Sequence, residues 1–308
     1  MDSLDDLIRG AGAAVYCLHA SSENAAMRHM TRFVTHDPVT ILKRPDTLPL
    51  MIVPQMEAER AMRESPAEVL TRQQAGYLEI FEHEKDPWKI QAEMIHRLSS
   101  GPYLVPPDFP TALTRALEQY NTVYVDSSSS LSAHRAMKTP EEIGWITSAQ
   151  RAAEAAMDKA VSMIRSADIR SGVLWHEDTP LTSDRVRYEM NTIMLAYDCT
   201  AEDTIVACGP ETAMPHCTGS GSLKAHEPIV IDVFPRDNKT GYHADMTRTV
   251  SRGEPSGKVT ELYETVRDAL LMSEGMVQEG VTGAACYQAV RDFFAELGYP
   301  SDTEGFIH

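Results

Sequence analysis

The chain has 308 residues, of which 43% are hydrophobic and 24% charged, enough for two domains with a sizeable core. Its formal net charge of −17 argues against nucleic acid or an anionic membrane surface as a main partner. The five cysteines are scattered without a CxxC spacing, which favours reduced thiols and a cytoplasmic location. Neither a signal-peptide core nor an apolar run as long as a membrane span is present in the sequence.

The first part of the chain alternates strand-like and helix-like segments. Strands are predicted over residues 13–18, 47–53 and 122–125, and helices over 54–64 and 110–119. This alternation predicts an α/β domain over residues 1–130. The serine-rich stretch 126–133 is predicted to be a break in the structure, and a second domain over residues 131–308 is predicted to come after it.

The second domain is predicted to begin with one long helix. The run Thr139-Pro140-Glu141-Glu142 combines an N-cap, a proline at the first helical position and a capping-box glutamate. Apolar residues then recur at helical spacing, at Ile143, Ile146, Ala153, Met157, Ala160 and Ile164. Further helices are predicted over 183–197, 257–279 and 282–297, and a strand over 204–208. Together with a hairpin over residues 228–250, these elements predict an antiparallel sheet with helices on one side, an α+β arrangement.

Residues 228–250 are predicted to form a β-hairpin that carries two acids. An apolar run ends near Asp232, a polar turn segment comes next, and a second extended run begins at Asp245. Acids on paired strands can point to the same face. Two neighbouring carboxylates repel each other unless a cation lies between them. The hairpin alone leaves two interpretations open: half of a metal site, or two solvated acids.

His216 precedes this hairpin and a glycine-rich turn at residues 219–221. The chain holds 11 histidines, and a lone histidine is more often a surface residue than a catalytic one. Its position close to the acidic hairpin in sequence raises its interest only modestly.

Three segments together resemble a known family. They read TIVACGPETAMPHCTGSG, IVIDVFPRDNKTGYHADMTRTV and EGFIH, and they resemble the pita-bread metallopeptidases, which include methionine aminopeptidase, Xaa-Pro aminopeptidase, prolidase and creatinase. The Xaa-Pro branch, whose hairpin reads IDxG…GYxxDxTRTF, is the most similar. Residues 231–232, 241–242 and 245–249 match it. The start of the long helix and the N-terminal third also resemble this family. The resemblance implies a creatinase-like α/β N-terminal domain and an α+β pita-bread catalytic domain.

The resemblance also implies a metal-dependent activity and assigns roles to individual residues. Two divalent ions, Mn²⁺ first and Co²⁺ or Zn²⁺ as alternatives, would be held by five protein ligands. Asp232 would chelate one ion and Asp245 would bridge both, so that a shared hydroxide attacks the peptide carbonyl. His216 and His308 would contact the substrate, and Thr247 would support the orientation of the carboxylates. The implied substrates are short peptides with proline after the cleaved bond, and the implied assembly is a homodimer.

Two departures from the family pattern are visible. Asp232 and Asp245 are 13 positions apart, where the family places its acids about 11 apart, and an even insertion keeps both side chains on one face. The extra residues are predicted to lie in the turn at 236–240, and Phe234 replaces the family's glycine. The sequence also ends at His308, before the remaining histidine and two glutamate ligands. We therefore expect a truncated catalytic domain that carries two of the five ligands and is inactive by itself.

Two alternatives remain. One is a creatinase-like hydrolase that works without metal, and the other is a catalytically inactive pita-bread protein that binds partners. The presence of both Asp232 and Asp245 argues against each, because a site without metal has little use for two facing acids. The choice between aminopeptidase and dipeptidase stays open.

Overall fold

The structure is a computed structural model that describes residues 4–127 and 130–299. It divides into two compact units, Met1–Gly144 with Lys239–Gly241, and Trp145–Asn238 with Tyr242–His308. The elements of the first unit are α1 Leu4–Gly10, β1 Val15–Ala20, α2 Ala25–Thr31, β2 Val39–Lys43, β3 Leu50–Val53, α3 Ala58–Glu64, β4 Glu68–Thr71, α4 Tyr77–His83, α5 Pro87–Leu98, β5 Tyr103–Val105, α6 Thr111–Leu117, β6 Val123–Val125 and α7 Ser130–Ala136.

The first unit is an α/β layer structure around one mixed sheet. Its strand order is β4-β3-β2-β1-β5-β6, with β1, β5 and β6 parallel to one another and β2 antiparallel to β1. Side chains along β1 alternate between the two faces, so Val15 and Cys17 enter one core and Tyr16 and Leu18 enter the other. Helices contribute to the cores on both faces, which explains why β1, β2 and β3 are buried over most of their length.

The stretch 126–133 is not the uniform break that its composition predicts. Helix α7 occupies Ser130–Ala136, and Leu131, only 4% exposed, packs into the core of the first unit. The predicted boundary between residues 130 and 131 therefore falls inside this unit. A single buried leucine among serines leaves no periodic pattern from which a helix could be predicted.

Helix α8, Pro140–Ser166, begins where its capping motif predicts. The Thr139 N–H donates to Glu142 Oε2 at 2.7 Å, and the Glu142 N–H donates to Thr139 Oγ1 at 3.2 Å, the reciprocal pair of a capping box. The predicted apolar face is wrong at its first residue, because Ile143 is 54% exposed. The buried face starts at Ala149 and continues through Ala153, Met157, Ala160 and Ile164.

The second unit is an α+β structure. After α8 it contains β7 Asp168–Arg170, β8 Val173–His176, β9 Thr179–Pro180, α9 Ser183–Ala196, β10 Cys199–Thr200, β11 Ile205–Cys208, β12 Ile229–Val233, β13 Arg236–Asp237, β14 Met246–Val250, α10 Gly257–Met276 and α11 Gly283–Glu296. The sheet that carries the predicted acids is antiparallel, in the order β11-β12-β14. One face packs against apolar residues of α8 and α9, such as Met157 and Met190.

No helix in the described part of the chain is long and apolar enough to cross a membrane.

Candidate active site

Asp232 lies on the face of β12 that points away from the core. Ile229, Ile231 and Val233 alternate with it and are buried, because successive side chains of a strand point to opposite faces. Pairing with β14 places Asp232 directly opposite Thr247. The apolar residues thus fix the register, and the register determines where the carboxylate stands.

Asp245 stands on the same side, one residue before β14. Ala244 is buried in the core and Met246 packs against it, so Asp245 and Thr247 point outward together. The pKa of the Asp245 carboxyl is raised above its usual value, first by partial burial of the carboxyl and second by the like charge of Asp232. The structure therefore brings the two predicted metal ligands close enough to repel each other.

Thr247 links the two strands through a side-chain hydrogen bond. Its hydroxyl donates to Asp232 Oδ1 at 2.6 Å, a distance typical of a charge-assisted bond. The bond restrains the rotation of the carboxylate and leaves Oδ2 without this donor. This contact gives Thr247 the means to orient Asp232, which is the role that the family resemblance implies for it.

The segment between the two acids is not a simple turn. Arg236 and Asp237 form β13, which pairs with Thr200 and Cys199 of β10. Asn238 adds a bond, since its Oδ1 accepts from the hydroxyl of Thr200 at 3.0 Å. The sequence predicts that the extra residues relative to the family spacing lie in a turn at 236–240, whereas two of the residues in that range are part of this short ladder.

His216 lies in an exposed turn after a 3₁₀ helix, Gly209–Ala213. The Val206 N–H donates to the carbonyl oxygen of Thr218 at 3.0 Å, and this bond holds the end of the turn beside β11. Within the described residues, the His216 side chain makes no hydrogen bond to Asp232 or Asp245. The structure thus brings the two acids and Thr247 together, and the substrate-contacting role of His216 stays a prediction.

Two residues hold this turn; sequence reasoning noted the first only as part of a glycine-rich turn and missed the second. Gly219 lies so close to β11 that a Cβ there would be 1.9 Å from the carbonyl oxygen of Val206, and its φ is +82°. Arg187 on α9 donates to the carbonyl oxygens of Thr218 and Gly219. The glycine-rich composition of the turn is visible in the sequence. Arg187 holds the turn through a contact with Gly219, which is 32 positions away in the sequence, so local sequence patterns do not predict it.

The two carboxylates suit a hard divalent cation, which prefers oxygen ligands. Bringing a cation between them would relieve the repulsion that raises the pKa of Asp245. Across residues 4–127 and 130–299, no group of three or more His, Cys, Asp or Glu side chains could hold a metal ion. His308 lies outside the described residues. The described residues thus fit part of a metal site.

The fold and this acidic strand pair define a pita-bread protein, with an α/β N-terminal domain and an α+β C-terminal domain. Residues 144–308 match the model of metallopeptidase family M24, and the chain belongs to that family. An Xaa-Pro dipeptidase from Bacillus anthracis has the same fold, with a TM-score of 0.76 and 22% sequence identity, over 96% of this chain and 76% of that one.

Two curated relatives are similar in sequence. The Xaa-Pro dipeptidase of Lactobacillus helveticus is 27% identical over 241 residues, which cover 76% of this chain and 60% of the relative. The Xaa-Pro dipeptidase of Pyrococcus furiosus is 33% identical over 175 residues, which cover 56% of this chain and 46% of the relative. The chain therefore spans less than two thirds of the length of either relative.

Proposed function

We propose that this protein is a metal-dependent exopeptidase that hydrolyses the bond before proline in short peptides. The observation that carries the proposal is that Asp232 and Asp245 stand close together on one face of the β12–β14 strand pair, in a chain of a metallopeptidase family. The names of the two sequence relatives, both Xaa-Pro dipeptidases, support the substrate class.

Asp232 and Asp245 would supply two of the five ligands of two divalent ions, Mn²⁺ in preference to Co²⁺ or Zn²⁺, because a carboxylate-rich set favours hard cations. When bound, such ions supply polarisation of the peptide carbonyl and activation of water. Thr247 keeps Asp232 in one orientation through its hydroxyl. His216 and His308 are assigned to substrate contact, where an imidazole can donate a hydrogen bond to the peptide carbonyl.

A homodimer and a cytoplasmic location remain parts of the proposal. The location is supported by the cysteines, none of which forms a disulfide within the described residues. The homodimer rests on the family resemblance alone.

The test is a hydrolysis assay on the complete gene product, with Xaa-Pro dipeptides and Xaa-Pro-Xaa tripeptides, with and without Mn²⁺. We expect Mn²⁺-stimulated cleavage that a chelator removes, and the preferred peptide length separates dipeptidase from aminopeptidase activity. Asp232→Asn and Asp245→Asn should each abolish the stimulated rate. Asp178→Asn is a matched control, because Asp178 is an exposed acid outside the hairpin, and its φ of +60° is one that asparagine adopts readily.

Cleavage of neither peptide class in the presence of Mn²⁺ would refute the proposal. Equal peptidase activity with and without chelator would also refute it. Creatine hydrolysis in the presence of chelator would instead support the creatinase-like alternative.

A further inference from the structure

A cavity of about 290 Å³ lies in the first unit. Its walls come from segments that come after three parallel strands: residues 24–26 after β1, residues 106–108 after β5, and Asp126 after β6. All of its lining residues belong to the first unit. The cavity is therefore separate from the acidic hairpin of the second unit.

The strand order places this cavity at a position that favours ligand binding. β1 and β5 are parallel neighbours in the centre of the sheet. β2, which follows β1 in the chain, lies on the far side of β1, and β6, which follows β5, lies on the far side of β5. The chain segments leaving their carboxyl ends thus diverge and leave a crevice between them. In open α/β sheets, ligands bind in the crevice at such a switch point.

The inner wall of the cavity combines apolar and polar groups. Tyr16 is 1% exposed, Leu18 2% and Asp126 7%. Asp108 lies at the exposed side, where Asn24 Nδ2 donates to its Oδ2 at 3.2 Å. The pKa of the Tyr16 phenol is raised, mainly by burial and then by the charges of Asp126 and Asp108. Both carboxylates therefore act on the same buried hydroxyl, which stays protonated at neutral pH.

A positive charge completes the lining. Arg135 lies one helical turn after Leu131 on α7, and both residues line the cavity. Within the described residues, no carboxylate lies within ion-pair distance of the Arg135 guanidinium. A guanidinium presents paired N–H groups that match a carboxylate. The cavity thus offers the carboxylate of Asp108 for a cation and the guanidinium of Arg135 for an anion.

We infer that this cavity binds a free α-amino acid, with its ammonium at Asp108 and its carboxylate at Arg135. The volume of about 290 Å³ is just below the range of about 300–1,000 Å³ for small-molecule pockets, which favours a single amino acid over a longer peptide. The apolar side chains of Leu18 and Leu131 provide a surface for the aliphatic part of the ligand.

The first test is isothermal titration calorimetry on the 308-residue chain at pH 7. The probes are L-alanine, L-leucine and L-proline, with ethylamine and acetate as analogues that each carry one of the two charges. We expect at least one amino acid to bind about tenfold more tightly than either analogue, because each analogue leaves one charged partner unused. Absence of binding by all three amino acids, or equal binding of an analogue, would overturn the inference.

The second test uses variants of the two accessible charged residues. Arg135→Gln and Asp108→Asn should each weaken amino-acid binding about tenfold or more. Arg115→Gln is the matched control, an exposed arginine on α6 that does not line the cavity. Unchanged affinity in both cavity variants would place the ligand elsewhere. Because binding is measured directly, this result does not depend on whether the chain cleaves peptides.

Discussion

Replacing Asp245 with asparagine should change the stability of the chain in opposite directions with and without Mn²⁺. Without the ion, the substitution removes a charge whose carboxyl has a raised pKa because of partial burial and the charge of Asp232. Like charges on neighbouring strands destabilise a sheet by about 0.5 kcal/mol. For a domain of about 150–250 residues, this relief raises Tm by about 1–2 °C.

With Mn²⁺ the order of stability should reverse. A ligand at ten times its Kd stabilises the native state by about 1.4 kcal/mol, which corresponds to a rise in Tm of about 3–6 °C. The wild-type chain should gain this increment, whereas Asp245→Asn should lose most of it. Differential scanning calorimetry at several Mn²⁺ concentrations measures both effects and resolves separate transitions for the two units.

Asp178→Asn provides the baseline, since it removes one negative charge from the exposed turn between β8 and β9, outside the acidic hairpin. It should leave the Mn²⁺ increment unchanged. An equal Mn²⁺ increment in wild type and Asp245→Asn would refute the reasoning. A lower Tm of the Asp245 variant without metal would refute the part that rests on repulsion.

Three other changes probe the surroundings of the site and the N-terminal core. Thr247→Val removes the hydroxyl that bonds Asp232 and should weaken Mn²⁺ binding about tenfold, as measured by calorimetric titration. Gly219→Ala should cost about 3 kcal/mol or more in urea unfolding, because its Cβ would overlap a carbonyl oxygen of β11. Gly172→Ala, with a similar φ but open space around it, should cost only about 1 kcal/mol. Burial, and then the charge of a nearby arginine, lowers the pKa of His19 from 6.5 to about 4. The free energy of unfolding should therefore fall by up to about 3 kcal/mol as the pH drops from 6.5 to about 4.

The sign of the pH effect is set by the neutral imidazole of the folded state. Unfolded chains bind the proton near pH 6.5, whereas folded chains resist it until about pH 4, so acid favours unfolding. His19→Gln should flatten this part of the pH profile, while His36→Gln, at an exposed position, should not.

At position 247, Thr247→Ser keeps the hydroxyl and should therefore retain the Mn²⁺ affinity that Thr247→Val loses. Failure to do so would show that the methyl group and not the hydroxyl matters for Mn²⁺ binding. If the two glycine substitutions lowered the free energy of unfolding equally, backbone strain and not the clash with β11 would account for the loss of stability.

Features set by neighbours in the chain could be predicted from the sequence. The capping box at Thr139 and Glu142 forms as its spacing predicts, because both bonds lie within one helical turn. The apolar residues that alternate with Asp232, and those on either side of Asp245, likewise predict that both acids face away from the core, since side chains alternate with period two along each strand.

Features that depend on distant contacts could not be predicted. The ladder of β13 with β10 contains two residues on each side, too few for any periodic pattern. The hydrogen bonds of Arg187 to the turn after His216 connect a helix to a loop. An arginine at that position of the helix could equally well point into solvent, so the sequence does not predict this contact. The burial of Leu131, which makes α7 part of the first unit, depends on a sheet built from residues far from it in sequence.

The acidic pair also has a consequence for the order of folding. Asp232 and Asp245 are 13 residues apart, so the ladder that joins their strands closes a short loop, and hairpins of this kind form within about 1–10 μs. Short loops lose little chain entropy on closure. The electrostatic repulsion thus acts within one of the most local contacts of the sheet. A cation that screens this repulsion stabilises the hairpin itself rather than contacts between distant parts of the chain.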